Sequence, residues 1–490
     1  MSVIVFLAAT SVLSGGATGI PNALEPGYSF VTVAEGRVSN VCWVEPKGRT
    51  IRLHSVLTRS KIIDATVKLR EDGTCEDSSV ILQDCGSPAG MPIRRTFEPG
   101  VVYWSDMVTG SIEAVIRRAR ELGGAITNVT VGSFYRAGTE VISVARTSET
   151  RWQFDIHHKH YMVVTDGRGN MLAATLPEFG VVIERRSDFK LSQFQPWPVN
   201  GAPAGGPYRA KQISISRPTG PAISGTLTLP LGSKKAGPAA LLIGGLGGGN
   251  RNGGSPPWMP LRDLADELSG AGVAVLRVDT PSDTKAYTIE LQLLDIAAEV
   301  KWLRSQSAID PRRVTLVGYS AGSLCAIMTA VRDRQIAGVV SLAGTGVPGE
   351  ELARYQITNH VLADPSIAEQ DRAAEIKNQL DEPLTAREAS FLKIDPLAFA
   401  RKVRCPLLVL QGANDWHVPL ASAELLGSAA RSNGNGGVAV ECIPGVSHSL
   451  LADPNGDESG WLYLPSHATS PRVLTRVSIW TRQHLFGGKG

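Results

Sequence analysis

The sequence has little of several features that would mark a specialised class of protein. Its longest apolar stretch runs from Val3 to Leu13, which is too short to cross a bilayer and predicts no membrane span. The 49 basic residues nearly balance the 46 acidic ones, without blocks, and leave a formal net charge of +3. Such a distribution predicts no nucleic-acid partner. No internal repeat is visible either, which argues against a propeller or a solenoid.

The first 22 residues nevertheless form a signal-like segment. The apolar run is followed by small residues, which favours a secretory signal and export to the periplasm or beyond. No Lys or Arg precedes the run, so a start further upstream, or a buried strand in a cytoplasmic protein, remains the alternative.

Cysteine is also scarce, with six residues in 490. They are Cys42, Cys75, Cys85, Cys325, Cys405 and Cys442. Cys75 and Cys85 bracket residues 76–84 and could close a small disulfide loop in an oxidising compartment. The last three lie in apolar segments, which is typical of buried thiols. None has metal-ligand spacing, so no metal site is predicted.

The pattern of the chain changes near residue 205. Residues 23–205 contain short β-branched or alternating runs separated by turn residues, which predicts a β-rich domain with one helix near 110–124. A Pro- and Gly-rich linker follows at 196–208. From 206 to 490, eight apolar strand candidates alternate with helices, which predicts an α/β domain with a mostly parallel eight-stranded sheet.

A Gly-x-Ser-x-Gly motif lies where one of these strands passes directly into a helix. Gly318 and Gly322 flank Ser320, so the turn can close tightly and expose the hydroxyl above the sheet, at a helix N-terminus that favours developing negative charge. A glycine-rich turn that merely contains a serine is the alternative in a chain with 51 glycines.

The residues that a serine nucleophile requires follow in the right order. A histidine must take the hydroxyl proton, and a carboxylate must orient that histidine. Asp415 and His448 each come just after a strand candidate, so we expect both at the sheet edge that holds Ser320. This order is that of the α/β-hydrolase fold. His417 is the rival base and Asp279 the rival acid.

A glycine-rich segment at 241–253 predicts an oxyanion hole. It follows an apolar strand, and glycines let backbone N–H groups approach a substrate oxygen closely. The predicted donors are the N–H groups of Leu246 and Ala321. A nucleotide-binding loop is the alternative, but the segment lacks both a G-x-G-x-x-G leading into a helix and a P-loop lysine.

Residues 206–490 resemble the bacterial α/β-hydrolase family of dienelactone hydrolases and of serine esterases or acyl hydrolases related to dipeptidyl aminopeptidases. GGLGGGNRNG, VTLVGYSAGS, LLVLQGANDWHVP and IPGVSHSLL carry the resemblance. It implies the α/β-hydrolase fold. The chain departs from the family at Gly244, where a histidine is usual, and in DTPSDTK, where D-x-R-G is usual.

About sixty residues separate the strand candidates near 340 and 408, and they show helical periodicity. This insert, at about 345–402, resembles the helical cap over the active site of related hydrolases. A helical bundle remote from the site is the alternative.

Adjacent histidines in residues 157–160 raise the question of a metal. His158 and His160 would share one face of a strand, but no partner ligand is evident, and a surface strand is the commoner reason for such a pattern.

The sequence thus predicts a serine esterase. Ser320, Asp415 and His448 would cleave a small carboxylic ester through an acyl-enzyme, with no cofactor and no metal. A serine peptidase or aminopeptidase, an acyl-CoA thioesterase or acyltransferase, and a non-catalytic binding protein remain alternatives.

Overall fold

The computed structural model describes residues 27–486 except 86, 136, 190–193, 195, 197, 204, 233–234, 247–248, 282–285, 365 and 457–463. The signal-like segment 1–22 lies outside this range. Among the described residues, every helix is too short or too polar to cross a membrane. The chain divides into two compact units: the first holds residues up to 196 with 463–466, and the second holds 197–462 with 467–490. The composition change near residue 205 falls in the second unit.

The first unit is built on one sheet of thirteen strands in the part of the chain that is described. They are β1 (Tyr28–Ala34), β2 (Arg37–Lys47), β3 (Thr50–Leu57), β4 (Lys61–Leu69), β5 (Cys75–Asp84), β6 (Ile93–Thr96), β7 (Val101–Trp104), β8 (Ile126–Ser133), β9 (Thr139–Ser148), β10 (Arg151–Ile156), β11 (Lys159–Thr165), β12 (Met171–Leu176) and β13 (Val181–Arg186). Their order across the sheet is β6-β5-β4-β3-β2-β1-β13-β12-β11-β10-β9-β8-β7. Neighbours are antiparallel except β7 and β8.

Chain connectivity requires this sheet to be rolled. Its outer strands β6 and β7 are joined by residues 97–100 alone, which can span at most about 18 Å. A flat sheet of thirteen strands would be about 58 Å wide. The two edges are therefore close, and Phe97 lies between them. Its N–H donates to Glu76 O at 3.0 Å, and its ring would lie 2.5 Å from a β carbon placed at Gly132 of β8.

Helix α1 (Gly110–Leu122) packs inside this roll. Its apolar face is buried and contacts strands from both halves of the sheet. The Glu113 carboxylate is buried as well. It accepts hydrogen bonds from Tyr28 Oη at 2.9 Å, Met171 N at 3.0 Å and Arg185 Nη1 at 3.0 Å. One charge thereby ties the helix to β1, β12 and β13.

The second unit contains an eight-stranded sheet. Its strands are β14 (Tyr208–Ile215), β15 (Ile223–Pro230), β16 (Gly237–Ile243), β17 (Ala274–Val278), β18 (Ile309–Tyr319), β19 (Gly338–Leu342), β20 (Leu407–Gly412) and β21 (Val438–Ile443). The order is β14-β15-β17-β16-β18-β19-β20-β21. The six strands from β17 to β21 in this order are parallel, and β14 and β15 add an antiparallel edge. Each strand overlaps one of the eight candidates from the sequence, although β14 and β18 begin five residues earlier than predicted.

Helices cover both faces of this sheet. They are α2 (Pro260–Gly270), α3 (Ile289–Arg304), α4 (Ala321–Arg332), α5 (Gly349–Ala363), α6 (Arg372–Leu380), α7 (Ala386–Leu392), α8 (Pro396–Ala400), α9 (Ala421–Arg431) and α10 (Pro471–Phe486). One apolar core packs α3, α4 and α9 against one face, and a second packs α2 and α10 against the other. The strands are buried on both faces for this reason, as near-continuous apolar runs predict. Helices α5 to α8 form the insert between β19 and β20.

Two sequence-based interpretations of the first unit are wrong. Cys75 begins β5 and Cys85 follows its end. Ten extended residues hold the two thiols about 33 Å apart, whereas a disulfide requires α carbons within about 7 Å. The second error concerns residues 157–160. His157 and His158 form the turn between β10 and β11, with φ of 49° and 59°, so His158 does not share a strand face with His160.

We predict that Glu113→Ala lowers the free energy of unfolding of the first unit by about 3 kcal/mol, because removing one partner of a buried ion pair leaves Arg185 without its carboxylate. Denaturant titration followed by tryptophan fluorescence measures the change. The control is Glu121→Ala on the same helix. Glu121 is exposed and lies 3.4 Å from Arg118 Nη1 one turn back on the helix, so its loss costs less than about 1 kcal/mol. Equal effects of the two changes would contradict this account of the roll.

Candidate active site

Ser320 lies on a sharp turn between β18 and α4. Its backbone has φ 56° and ψ −126°, a combination that a residue with a side chain rarely adopts. The turn is held by Ser320 N, which donates to Leu342 O at 2.8 Å. A β carbon at Gly318 would lie 2.2 Å from Gly322 O. Only glycine therefore lets the helix fold back so closely on the strand.

The structure brings the three predicted catalytic residues together. His448 Nε2 lies 3.2 Å from Ser320 Oγ, and His448 Nδ1 lies 3.0 Å from Asp415 Oδ2 and 3.1 Å from Oδ1. Asp415 is 5% exposed. Its Oδ1 also accepts hydrogen bonds from the N–H groups of His417 at 2.9 Å and Val418 at 2.8 Å. These two contacts fix the orientation of the carboxylate toward His448.

Backbone contacts hold the acid loop against the base loop. Asn414 N donates to Val446 O at 3.0 Å. Gly412, the last residue of β20, approaches the same carbonyl so closely that a β carbon there would lie 2.1 Å from it. The separation of Asp415 from His448 is thus fixed by neighbouring main chain as well as by their own hydrogen bonds.

Neither rival residue takes the place of a member of this group. The His417 ring lies 4.8 Å from the His448 ring, centroid to centroid, but it is His448 that bridges Asp415 and Ser320. Asp279 instead accepts hydrogen bonds from Arg251, from the backbone N at 2.8 Å and from Nε at 3.0 Å. The Asp279 side chain therefore holds Arg251, which lies near the C-terminal end of the glycine-rich segment 241–253.

The glycine-rich loop after β16 lies against the nucleophile. A β carbon at Gly322, in the first turn of α4, would lie 2.3 Å from Ile243 O and 2.5 Å from Gly244 O. A β carbon at Gly245 would lie 3.1 Å from Ser320 Cβ. The two predicted oxyanion donors, Leu246 and Ala321, line one cavity together with Ser320. Residues 247 and 248 of this loop lie outside the described part.

That cavity has a volume of about 210 Å³. The inserted helices α5 and α7 and the segment before α7 supply much of its wall, and this wall is mostly apolar. The insert residues are Leu352, Ala353, Gln356, Ile357, Leu384, Glu388, Phe391 and Leu392. The rest of the lining comes from Ala343, Thr345 and Val418 together with the residues named above. The insert thus lies over Ser320 rather than away from it.

Three polar residues of the insert contact the catalytic loops and were not anticipated from the sequence. Arg387 donates to Leu246 O at 2.7 Å and to Gly245 O at 3.1 Å. Gln356 Nε2 donates to His417 O at 3.0 Å, and Asn359 Nδ2 donates to Trp416 O at 2.8 Å. All four acceptors are backbone carbonyls far along the chain, and carbonyls have no sequence signature. No pattern could have revealed these contacts.

The histidines near 157 are engaged with carboxylates. His157 Nδ1 lies 2.9 Å from Asp106 Oδ2, and its Nε2 lies 3.0 Å from Glu140 Oε1. His160 Nδ1 lies 2.7 Å from Asp155 Oδ1. Among the residues that the structure describes, no group of three or more His, Cys, Asp or Glu side chains is arranged to hold a metal ion.

Known esterases are similar to this chain in sequence. Residues 227–429 match the family model BD-FAE. Esterase EstD of Thermotoga maritima is 25% identical over 291 residues, which cover 56% of this chain and 67% of that protein. These matches confirm the resemblance to α/β-hydrolase esterases and the predicted enzyme class, a carboxylic ester hydrolase.

Two solved esterase structures are among those similar to this chain. The Pyrococcus furiosus esterase Pf2001 is 15% identical, with a TM-score of 0.41 over 57% of this chain and 92% of its own. Est1E of Butyrivibrio proteoclasticus is 18% identical, with a TM-score of 0.40 over 56% of this chain and 99% of its own.

Two adjacent glycines of the loop allow a matched test of its approach to the nucleophile. We predict that Gly245→Ala lowers kcat/KM for an ester about tenfold, because the new methyl group would crowd Ser320 Cβ at 3.1 Å. Gly244→Ala is the control, since among the described residues its methyl group would meet Leu261 Cδ1 alone, at the ordinary contact distance of 3.7 Å. Steady-state kinetics compares the two variants. If Gly244→Ala loses as much activity as Gly245→Ala, the loop does not lie as described.

Proposed function

We propose that the protein is a serine esterase that cleaves carboxylic esters through an acyl-enzyme. The observation that carries the proposal is the continuous hydrogen-bonded series from Asp415 through His448 to Ser320, which ends at a cavity. A hydroxyl is a weak nucleophile at neutral pH, and an adjacent histidine with an orienting carboxylate activates it.

The reaction follows from these positions. His448 Nε2 takes the proton of Ser320 Oγ as the oxygen attacks the acyl carbon. The carbonyl oxygen becomes an oxyanion, to which the Leu246 and Ala321 N–H groups donate. The C–O bond to the alcohol then breaks, and the alcohol leaves with the proton from His448. Water repeats the sequence on the acyl-enzyme, with His448 as base, and releases the acid and Ser320.

The cavity supports an ester with a compact apolar acyl group. Most of its lining is aliphatic or aromatic, and its volume is about 210 Å³. A cavity of about 150 Å³ accommodates a benzene ring. A short-chain or singly ringed acyl group therefore fits this volume.

The first test measures activity and identifies the nucleophile. We expect the protein to hydrolyse p-nitrophenyl acetate, butyrate and benzoate, and Ser320→Ala to lose at least about a thousandfold in kcat. A fluorophosphonate probe should label the wild type and not the variant. The same assay with an acyl-CoA and an aminoacyl anilide separates the alternatives. Faster turnover of either one would favour a thioesterase or a peptidase, and unlabelled Ser320 in folded protein would favour a binding protein.

The second test addresses the acyl pocket. Ala353 of α5 lines the cavity, so Ala353→Phe would fill part of it. We predict that kcat/KM for the benzoate ester falls at least tenfold while that for the acetate ester changes less than threefold. The control is Arg354→Phe on the next, exposed residue of the same helix, which should alter neither value. Equal losses on both esters would show that the acyl group does not bind here.

A further inference from the structure

We propose that Arg387 is a positioning residue that orients the Leu246 N–H toward the reacting carbonyl oxygen. This inference rests on the proposed esterase function. Arg387 belongs to α7 of the insert, not to the sheet that carries the catalytic residues, and it is 2% exposed. Its guanidinium donates hydrogen bonds to two carbonyls of the glycine-rich loop, those of Gly245 and Leu246.

The covalent geometry of one peptide group links Arg387 to the oxyanion hole. The carbonyl of Gly245 and the N–H of Leu246 belong to the same peptide unit. In a planar trans peptide these two groups point in opposite directions. Arg387 Nη2 lies 3.1 Å from Gly245 O, so the carbonyl is held on the side of α7. The Leu246 N–H is consequently directed away from Arg387, and both Leu246 and Ser320 line the cavity.

The carbonyl of Leu246 is held in the same way. Arg387 Nη1 lies 2.7 Å from Leu246 O, so the carbonyls before and after Leu246 are both fixed. A glycine-rich segment would otherwise rotate freely about its backbone bonds. Donors that are oriented before the reaction stabilise the transition state without reorganising. The guanidinium also polarises the Gly245–Leu246 peptide unit, which makes its N–H a stronger donor.

The guanidinium is itself held in place. Arg387 Nη2 also donates to Gln292 Oε1 of α3 at 2.9 Å, and the two side chains are buried together. Hydrogen bonds from a charged donor are about twice as strong as neutral ones. Burial lowers the pKa of the Arg387 guanidinium from its ordinary value. The contact therefore spans three elements: the packing helix α3, the inserted helix α7 and the loop after β16.

Kinetics of Arg387→Ala tests the proposal. Removing an oxyanion donor outright typically costs about 10²–10³ in kcat, and a donor that is only released from its orientation should cost less. We expect kcat for p-nitrophenyl butyrate to fall about 10- to 100-fold while KM changes less than threefold. Added methylguanidinium, which fits the space left by the side chain, should restore kcat at least fivefold. The kcat of Arg387→Lys should lie between those of the wild type and Arg387→Ala. Lysine keeps the charge, but its ammonium group lacks the planar fork of donors that bonds to both carbonyls at once.

The control variant is Arg354→Ala, which removes an exposed arginine from the neighbouring helix α5 of the same insert. Thermal unfolding of all variants shows whether they are folded. If Arg387→Ala is not folded, the kinetics of Arg387→Lys are used in its place. Unchanged kcat in a folded Arg387 variant would overturn the proposal. An effect on KM alone would also overturn it, as would a fall in kcat that added methylguanidinium does not reverse. Inactive wild-type protein would reject the esterase function itself, so the two failures are distinguishable.

Discussion

The close approach of two backbone segments at Gly322 is the constraint on which the candidate site depends. With no side chain at this position, the loop after β16 can rest on the first turn of α4, where a β carbon would lie 2.3 Å from Ile243 O. This contact holds the start of the loop against the turn that carries Ser320. Ser320 itself is held in a strained conformation by the same turn. The nucleophile is therefore placed by main chain, which varies less than side-chain rotamers do.

The positions of Ser320, Asp415 and His448 could be predicted because each follows a strand. Short apolar runs identify the strands, and the carboxyl ends of parallel strands meet at one edge of the sheet. Residues separated by as many as 128 positions can thereby be brought into contact by a local rule. The sequence also allowed His448 to be chosen over His417 as the base, because a histidine on the same loop as Asp415 is poorly placed to bridge Asp415 and Ser320.

Features that depend on contacts between residues far apart in the chain could not be predicted from the sequence. The first unit is β-rich, as its alternating runs indicate, but its rolling follows from the pairing of β1 with β13 and of β7 with β8. Nothing local encodes those pairings. Cys75 and Cys85 were misread because the residues between them were treated as a loop, although Val80 and Ile81 are typical of a strand. Arg387 could not be found at all, because its partners are carbonyls 141 and 142 positions away.

The insert has two physical roles that are difficult to separate. Phe391 and Leu392 form part of the cavity wall, and Arg387, four and five residues earlier, donates a hydrogen bond to the carbonyl of Leu246 in the glycine-rich loop. From α5, Gln356 lines the cavity and also holds the carbonyl of His417 beside the acid. Contacts that shape the pocket and contacts that fix the catalytic loops thus come from the same two helices. In a protein with this arrangement, a change in the insert that alters acyl preference also alters how well the loops are preorganised, because neighbouring residues on a rigid helix move together. Under the proposed function, we therefore expect specificity and rate to be coupled through α5 and α7.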